Sequence, residues 1–130
     1  MASARTRRHV AELRTRVRAN RAASRTRRAT ARAARRIRTG ARSLATHVIA
    51  TGTDQATVKG IVKALQGVAK AARDNGLKGK RARIRRSING TRNVVKTVYR
   101  YTREQVAQIA ARYKPRKAEY KTVRAALIAA

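Results

Sequence analysis

Residues 21–42 read RAASRTRRATARAARRIRTGAR. Arg falls at almost every other position, separated by Ala, Thr and Ser, with a single Ile and no acid, Lys or aromatic residue. High charge with little apolar content is the usual composition of a solvated tail. Ala and Arg, however, are among the strongest helix formers, and an anionic partner would remove the repulsion between the Arg side chains. The segment therefore reads as a helix whose packing partner is a polyanion. That reading sets the fold: a long basic arm joined to a smaller domain with its own core.

Taking residues 4–42 as helical puts the charges of the arm in order. Arg7, Arg14, Arg21, Arg28, Arg35 and Arg42 recur every seven residues, and Arg18, Arg25 and Arg32 fill the i+4 places, so these form one stripe drifting slowly around the axis. Arg5, Arg16, Arg27 and Arg38 recur every eleven residues on roughly the opposite side, and Arg8 and Arg36 complete the set. A helix lying on a flat anionic surface needs cations on one side only. Cations on two sides suit a helix running between two rows of phosphates. Ala keeps the helix thin, Arg forks bind phosphate bidentately, and Ser24, Thr26, Thr30 and Thr39 add hydroxyl contacts. Val10, Leu13 and Val17 make a short apolar stripe expected to dock on a neighbouring subunit. Ile37, Ala41, Leu44 and Val48 make another, expected to dock on the chain's own bundle.

Charge also divides the whole chain, whose 130 residues include 35 Lys and Arg against five acids, a net charge of +30. Residues 1–42 hold fifteen Arg, no Lys and one Glu, whereas residues 43–77 are close to neutral. Residues 78–92 are basic again, with Lys78, Lys80, Arg81, Arg83, Arg85, Arg86 and Arg92 and no acid. The expected organisation is a wrapping arm over 1–42 and a bundle over 43–130 that forms the subunit contacts and carries a second basic cluster at 78–92.

The fold class expected for the whole is all-α, because apolar residues recur at three-and-four spacing and no stretch alternates as a strand would. Thr53 or Asp54 can cap a helix with Val58, Ile61, Val62, Leu65, Val68 and Ala72 on one face, stopped by Asn75-Gly76. A short basic helix over KRARIRRSIN, ended by Gly90, is expected next. A longer helix follows over TRNVVKTVYRYTREQVAQIAARYK, with Thr102 and Gln105 offering an internal capping box. A last helix runs from about Pro115 through Tyr120, Val123 and Leu127. From Leu44 onward there are nineteen Val, Ile and Leu, each worth about 1.5–3 kcal/mol when buried. With no Phe or Trp the core is aliphatic and thin, and a partner chain or bound polyanion would add to its stability.

Several classes of function find no support. Cys is absent, which removes disulfides, thiolate nucleophiles and Cys-based zinc sites. His9 and His47 have no acid beside them, and the acids Glu12, Asp54, Asp74, Glu104 and Glu119 are isolated. No Gly-rich phosphate loop precedes a Lys and Ser or Thr, so no enzyme, metal, cofactor or small-molecule substrate is expected. No apolar run approaches the roughly 18 residues that span a bilayer, and MASARTRRHVAELR lacks the apolar stretch of a secretory signal. GLKG at 76–79 resembles the GXXG loop of KH domains, but that fold needs strands not expected here. Gly60, Ala64, Gly67 and Ala71 form a small-residue stripe suited to close approach of another helix.

The remaining partner is nucleic acid. Single-strand binders stack bases on aromatic side chains, and the only aromatics, Tyr99, Tyr101, Tyr113 and Tyr120, lie away from the arm. A duplex is favoured. Asn20 is the only Asn or Gln in the first 42 residues, so affinity should come from backbone charge with little sequence preference. A charge of +30 matches the phosphates of about fifteen base pairs.

In this organisation the chain resembles the major capsid (nucleocapsid) proteins of filamentous archaeal viruses, most of all the basic pair of the tristromaviruses: small, Cys-free, strongly basic, with an N-terminal Arg/Ala helix and a C-terminal bundle. The resemblance is one of profile over the whole chain and carries no diagnostic motif. It implies a virion protein that forms a dimer, with itself or a related second capsid protein, inside a helical filament. It also implies an arm from Arg5 to Arg42 wrapping double-stranded DNA held in A-form, a second inner contact from Arg81 to Arg92, and a wall built from residues 44–77 and 94–130. Any envelope around such a filament would not be contacted through a transmembrane segment. Two other readings are an all-helical ribosomal protein with an arm that folds on ribosomal RNA, and a cellular or phage chromatin-like protein that compacts DNA without a regular filament. A membrane-active helix is disfavoured, since the arm has no large apolar face.

Overall fold

Ser3, Ser43, Asp54 and Thr102 each accept a hydrogen bond from the backbone N–H three residues on, and each opens a helix. The computed structural model describes residues 3–88, 90 and 92–130. Among these the order is α1 (Ala4–Arg38), α2 (Leu44–Ala50), α3 (Gln55–Asp74), β1 (Lys80–Ile88), β2 (Arg92–Arg100), α4 (Arg103–Arg112) and α5 (Ala118–Ala129).

The core is mostly aliphatic, as the sequence predicts, but it also buries Tyr101 and has Tyr99, Tyr113 and Tyr120 packed against it. Leu44 and Val48 of α2, Ile61 and Leu65 of α3, Val106 and Ile109 of α4, and Val123 and Leu127 of α5 are all buried in one cluster. On α3 the buried residues Val58, Ile61, Leu65, Ala69 and Ala72 keep three-and-four spacing, so one face is spent on the core. Asn75 ends that helix and Gly76 follows at φ 96°, a backbone region glycine enters without steric cost. Gly60 lies under the Tyr120 ring of α5, and a Cβ there would run into the phenolic hydroxyl. Further along the expected small-residue stripe Ala64 is half-buried while Gly67 and Ala71 are exposed, so the stripe is covered at its start and open at its end. Arg124 of α5 donates from Nε to the Ala110 carbonyl (3.0 Å) and from Nη2 to that of Ala111 (3.2 Å), satisfying the open end of α4.

The arm stops earlier than the 4–42 reading. α1 ends at Arg38, Thr39 caps it, and the chain turns through Gly40 at φ 152° before Ser43 starts α2. Leu44 and Val48 of α2 therefore enter the core, while half-buried Ile37 of α1 lines a hollow beside it with Val106 and Leu127. α2 doubles back along α1: a Cβ on Gly52 would sit 4.0 Å from Thr30 Cγ2. Thr30, Ala33, Ala34 and Ile37 form the recessed face of α1 beside it.

The all-α expectation needs a larger correction. The fold is mainly helical, but residues expected in a short basic helix and in the first half of the next one form an antiparallel hairpin, β1 with β2, in register from Lys80 opposite Arg100 to Ile88 opposite Arg92. Val94, Val95, Thr97, Val98 and Tyr99 are β-branched or aromatic, types whose side chains pack well on a pleated surface and crowd a helix. Asn89-Gly90 is the dipeptide that most favours a tight reversal; Asn89 itself lies outside the described residues, while Gly90 has φ 71°. Helix begins again only at the Thr102–Gln105 capping box, with both reciprocal bonds made (3.0 and 3.3 Å).

Candidate nucleic-acid interface

α1 is about 52 Å long at 1.5 Å per residue. Its packing on the rest of the chain is seen from Thr30 onward: Ala33 is its one buried residue among those described, and residues 4–29 are exposed except for half-buried Ser24. The first 26 residues of the helix thus extend free for about 39 Å, slightly more than one turn of a duplex. Arg7, Arg14, Arg21 and Arg28, with Arg18 and Arg25 between them, are exposed along this length. So are Arg5, Arg8, Arg16 and Arg27 on the other sides. Near the bundle Arg32, Arg35 and Arg38 stay exposed while Thr30, Ala33, Ala34 and Ile37 face inward. Docking therefore consumes a small-residue face and leaves the cations outside. Val10, Leu13 and Val17 are 39%, 44% and 46% exposed, and the shallow surface they form is lined by α1 residues.

Arg42 differs from the other arm residues. Its Nε donates to the Arg36 carbonyl (3.1 Å) and its Nη2 to Thr39 Oγ1 (3.2 Å), so much of its guanidinium closes the C-terminus of α1. A cation also suits the negative end of a helix dipole there.

The second basic cluster lies on the hairpin. Alternation puts Arg81, Arg83 and Arg85 on one face of β1, all exposed. Their opposite numbers on β2 are Tyr99, Thr97 and Val95. Lys80 and Arg86 belong to the other face with Ala82 and Ile84, across from Arg100, Val94, Val98 and Lys96. Lys78 precedes the strand, and its carbonyl accepts a bond from Gln105 Nε2 (3.0 Å) that fixes the approach to β1 against α4. Arg92 opens β2, and its side chain lies outside what is described.

Between the hairpin, the end of α1, α2 and α3 runs a cleft of about 680 Å³. Arg36, Arg42, Lys70, Arg73, Arg86, Lys96 and Arg100 line it, with no carboxylate among the lining residues. Arg73 lies flat on the Tyr99 ring, its guanidinium carbon 3.6 Å from the centroid. The arm and the hairpin meet at the mouth of this cleft. Arg42 and Tyr101 pair as an isolated antiparallel bridge, and His47 Nε2 donates to the same Tyr101 carbonyl at 2.9 Å. A carbonyl only accepts, so the Nε2 of His47 carries the proton in the neutral ring. Burial, chiefly, holds that imidazole below its ordinary pKa, against a smaller upward pull from its bond to Tyr101.

Sequence reasoning found the arm and the cluster but missed Lys70, Arg73, Lys96 and Arg100 as companions of Arg36 and Arg86. Reading Asn89-Gly90 as a reversal would have aligned Lys96 and Arg100 with β1. Lys70 and Arg73 one turn apart on the polar side of α3 carry no comparable signal. GLKG at 76–79 serves packing: Gly76 ends α3, and Gly79 admits the Tyr101 ring, which an added Cβ would meet at 2.6 Å. Among the described residues no three His, Asp or Glu side chains gather as a metal site would require, and no helix is long and apolar enough to cross a membrane. No family model matches the chain, and no curated protein or solved structure matches it either.

Proposed function

We propose that this chain is a structural protein that binds double-stranded DNA with little regard to sequence and coats it as a nucleocapsid protein coats a genome in a filament. The observation that carries this reading is the free part of the arm: a stretch of helix about one duplex turn long, with cations on more than one side and no buried residue before Ala33 among those described. A cation-lined rod stabilises itself by neutralising phosphates, and the gain comes largely from release of counterions. Its Ala, Thr and Ser positions allow close approach without reading bases. The resemblance in profile to tristromavirus capsid proteins supports the finer part of the proposal: a virion protein, paired with itself or a related chain, on A-form duplex. In that arrangement the exposed Val10, Leu13 and Val17 stripe is covered by a neighbouring subunit.

The test is a binding titration over a range of salt concentrations with duplexes of unrelated sequence. The expected result is a steep fall of affinity with salt and near-equal affinity for every sequence. A marked preference for one short site would overturn it.

A protein seated on folded RNA is the second reading, and the hairpin is what favours it. Two basic extensions from one small core suit a surface with several separate grooves. A chain that binds structured RNA and leaves linear duplex DNA free in direct competition would establish this second reading against the first.

A further inference from the structure

We infer that the cleft between the hairpin and α3 holds the phosphodiester backbone of one strand of the duplex, continuing the contact that α1 begins. This rests on the duplex-binding proposal above and names a second contact surface within it. None of Lys70, Arg73, Lys96 and Arg100 belongs to the basic segments visible in sequence; the fold alone brings them together.

Three observations converge. The first is electrostatic. Cations from α1, α3, β1 and β2 face one concave surface whose lining residues include no acid, an arrangement that repels itself until an anion enters. The second is the state of Arg73. Its Nε is buried and has no hydrogen-bond partner, while its guanidinium plane is held against Tyr99. A buried donor left unpaired is costly, and a stacked guanidinium still presents its edge N–H groups, the fork that takes two phosphate oxygens at once. The third is continuity. Arg36, on the last turn of α1, lines the cleft, so phosphates that follow the arm lead directly into it.

The remaining lining indicates backbone contact and not base reading. Val62, Ala69 and Val98 offer apolar floor, and Gln66 is the only amide side chain among the lining residues. The space is too small to admit a duplex whole. It fits one edge of it, with the hairpin on one side of the strand and α3 on the other.

The experiment uses the full chain and a linear DNA duplex, and compares two fourfold variants. One is K70Q/R73Q/K96Q/R100Q in the cleft. The other is K59Q/K63Q/K114Q/K121Q, which removes the same charge from exposed positions outside both cleft and arm. Each phosphate that the protein no longer neutralises lowers the slope of log affinity against log salt by about 0.9. The cleft variant is expected to lose about 3.6 from that slope and the other variant less than about 1. Equal losses in the two variants would overturn the inference, because charge alone would then account for the effect. So would a loss seen with duplex RNA but not with DNA. K70Q/K96Q changes two exposed side chains and leaves the Arg73–Tyr99 stack intact; a slope reduced by about 2 is expected, and an unchanged slope would count against the inference even if the fourfold variant failed to fold. R73K keeps the charge but loses the fork, and should lower affinity several-fold at an unchanged slope. A wild-type chain that does not bind duplex at all is a different result: it removes the duplex-binding proposal itself.

Discussion

Arg42 and Tyr101 exchange both backbone hydrogen bonds, Arg42 N to Tyr101 O at 2.9 Å and Tyr101 N to Arg42 O at 2.7 Å, although 59 positions separate them in the chain. The last residue of the arm, past the end of α1 at Arg38, is thereby tied to the residue that follows the hairpin. His47 adds a third bond at the Tyr101 carbonyl, and the Tyr101 side chain belongs to the core. This junction joins the end of the arm to the end of the hairpin, beside the packing of α1 on α2 and the Gln105–Lys78 bond that hold each of them to the helical core.

The junction makes stability depend on pH in a defined direction. In the unfolded chain His47 takes up a proton near its ordinary pKa of 6.5; in the folded chain burial keeps it neutral to lower pH. The unfolded state then binds more protons, so stability is level above about pH 6.5 and declines as the pH drops below it. Urea midpoints measured across this range should fall on the acid side, and the fall should be absent in H47Q. At neutral pH H47Q itself should lose about 1–3 kcal/mol, since it disturbs a buried hydrogen bond. A midpoint that rises on acidification would contradict the assignment.

Gly79 is a packing position. A Cβ there would stand 2.6 Å from the Tyr101 ring and 2.9 Å from the Arg100 carbonyl oxygen, and that backbone cannot move without disturbing the Arg42 pair. G79A is expected to cost about 1–3 kcal/mol in thermal or chemical unfolding. G67A meets nothing within 4 Å and should not destabilise the fold.

The Thr102–Gln105 box starts α4 and, through Gln105 Nε2, holds the Lys78 carbonyl before β1. T102A should lower stability by about 0.5–2 kcal/mol. Amide hydrogen exchange should show the loss first in the opening turn of α4.

The arm separates binding from folding. Ala23 is exposed within the part of α1 that touches nothing, so A23P breaks that helix at a local cost of about 3 kcal/mol and should leave the unfolding midpoint of the core unchanged. Circular dichroism of the wild type should gain helical signal on adding duplex, since phosphates remove the repulsion that frays a free basic helix. A23P should gain less and bind at least several-fold more weakly. Equal binding by the two proteins would show that the arm does not act as one continuous helix.

The contrast between what is legible in the sequence and what is not has physical causes. α3 can be read closely, with the cap narrowed to Thr53 or Asp54, of which Asp54 serves, and Asn75-Gly76 as stop, because its apolar residues repeat over five turns. α5 and the buried Val123 and Leu127 follow from the same periodicity. The hairpin cannot be read that way. KRARIR alternates charge with small or apolar residues, and a search for apolar alternation passes over a strand with Arg81, Arg83 and Arg85 along one face. Val94, Val95 and Val98 match a helical face as well as a strand, and the β-branched content together with Asn89-Gly90 is the signal that decides between them. The break at Gly40 is masked by Ile37, Ala41, Leu44 and Val48, which keep helical spacing across a turn. The basic cleft is invisible for a simpler reason: its cations come from four elements, and no local pattern marks residues that meet only after folding.

In the proposed role the arm, helical on the duplex, and its neighbouring basic surfaces coat double-stranded DNA along its length. The most direct test of this role is electron microscopy of the full chain mixed with linear double-stranded DNA at saturating protein. The account predicts continuous filaments of uniform diameter and regular pitch along the whole duplex, whatever its sequence. Irregular condensates, isolated particles at a few sites, or bare DNA beside free protein would contradict it.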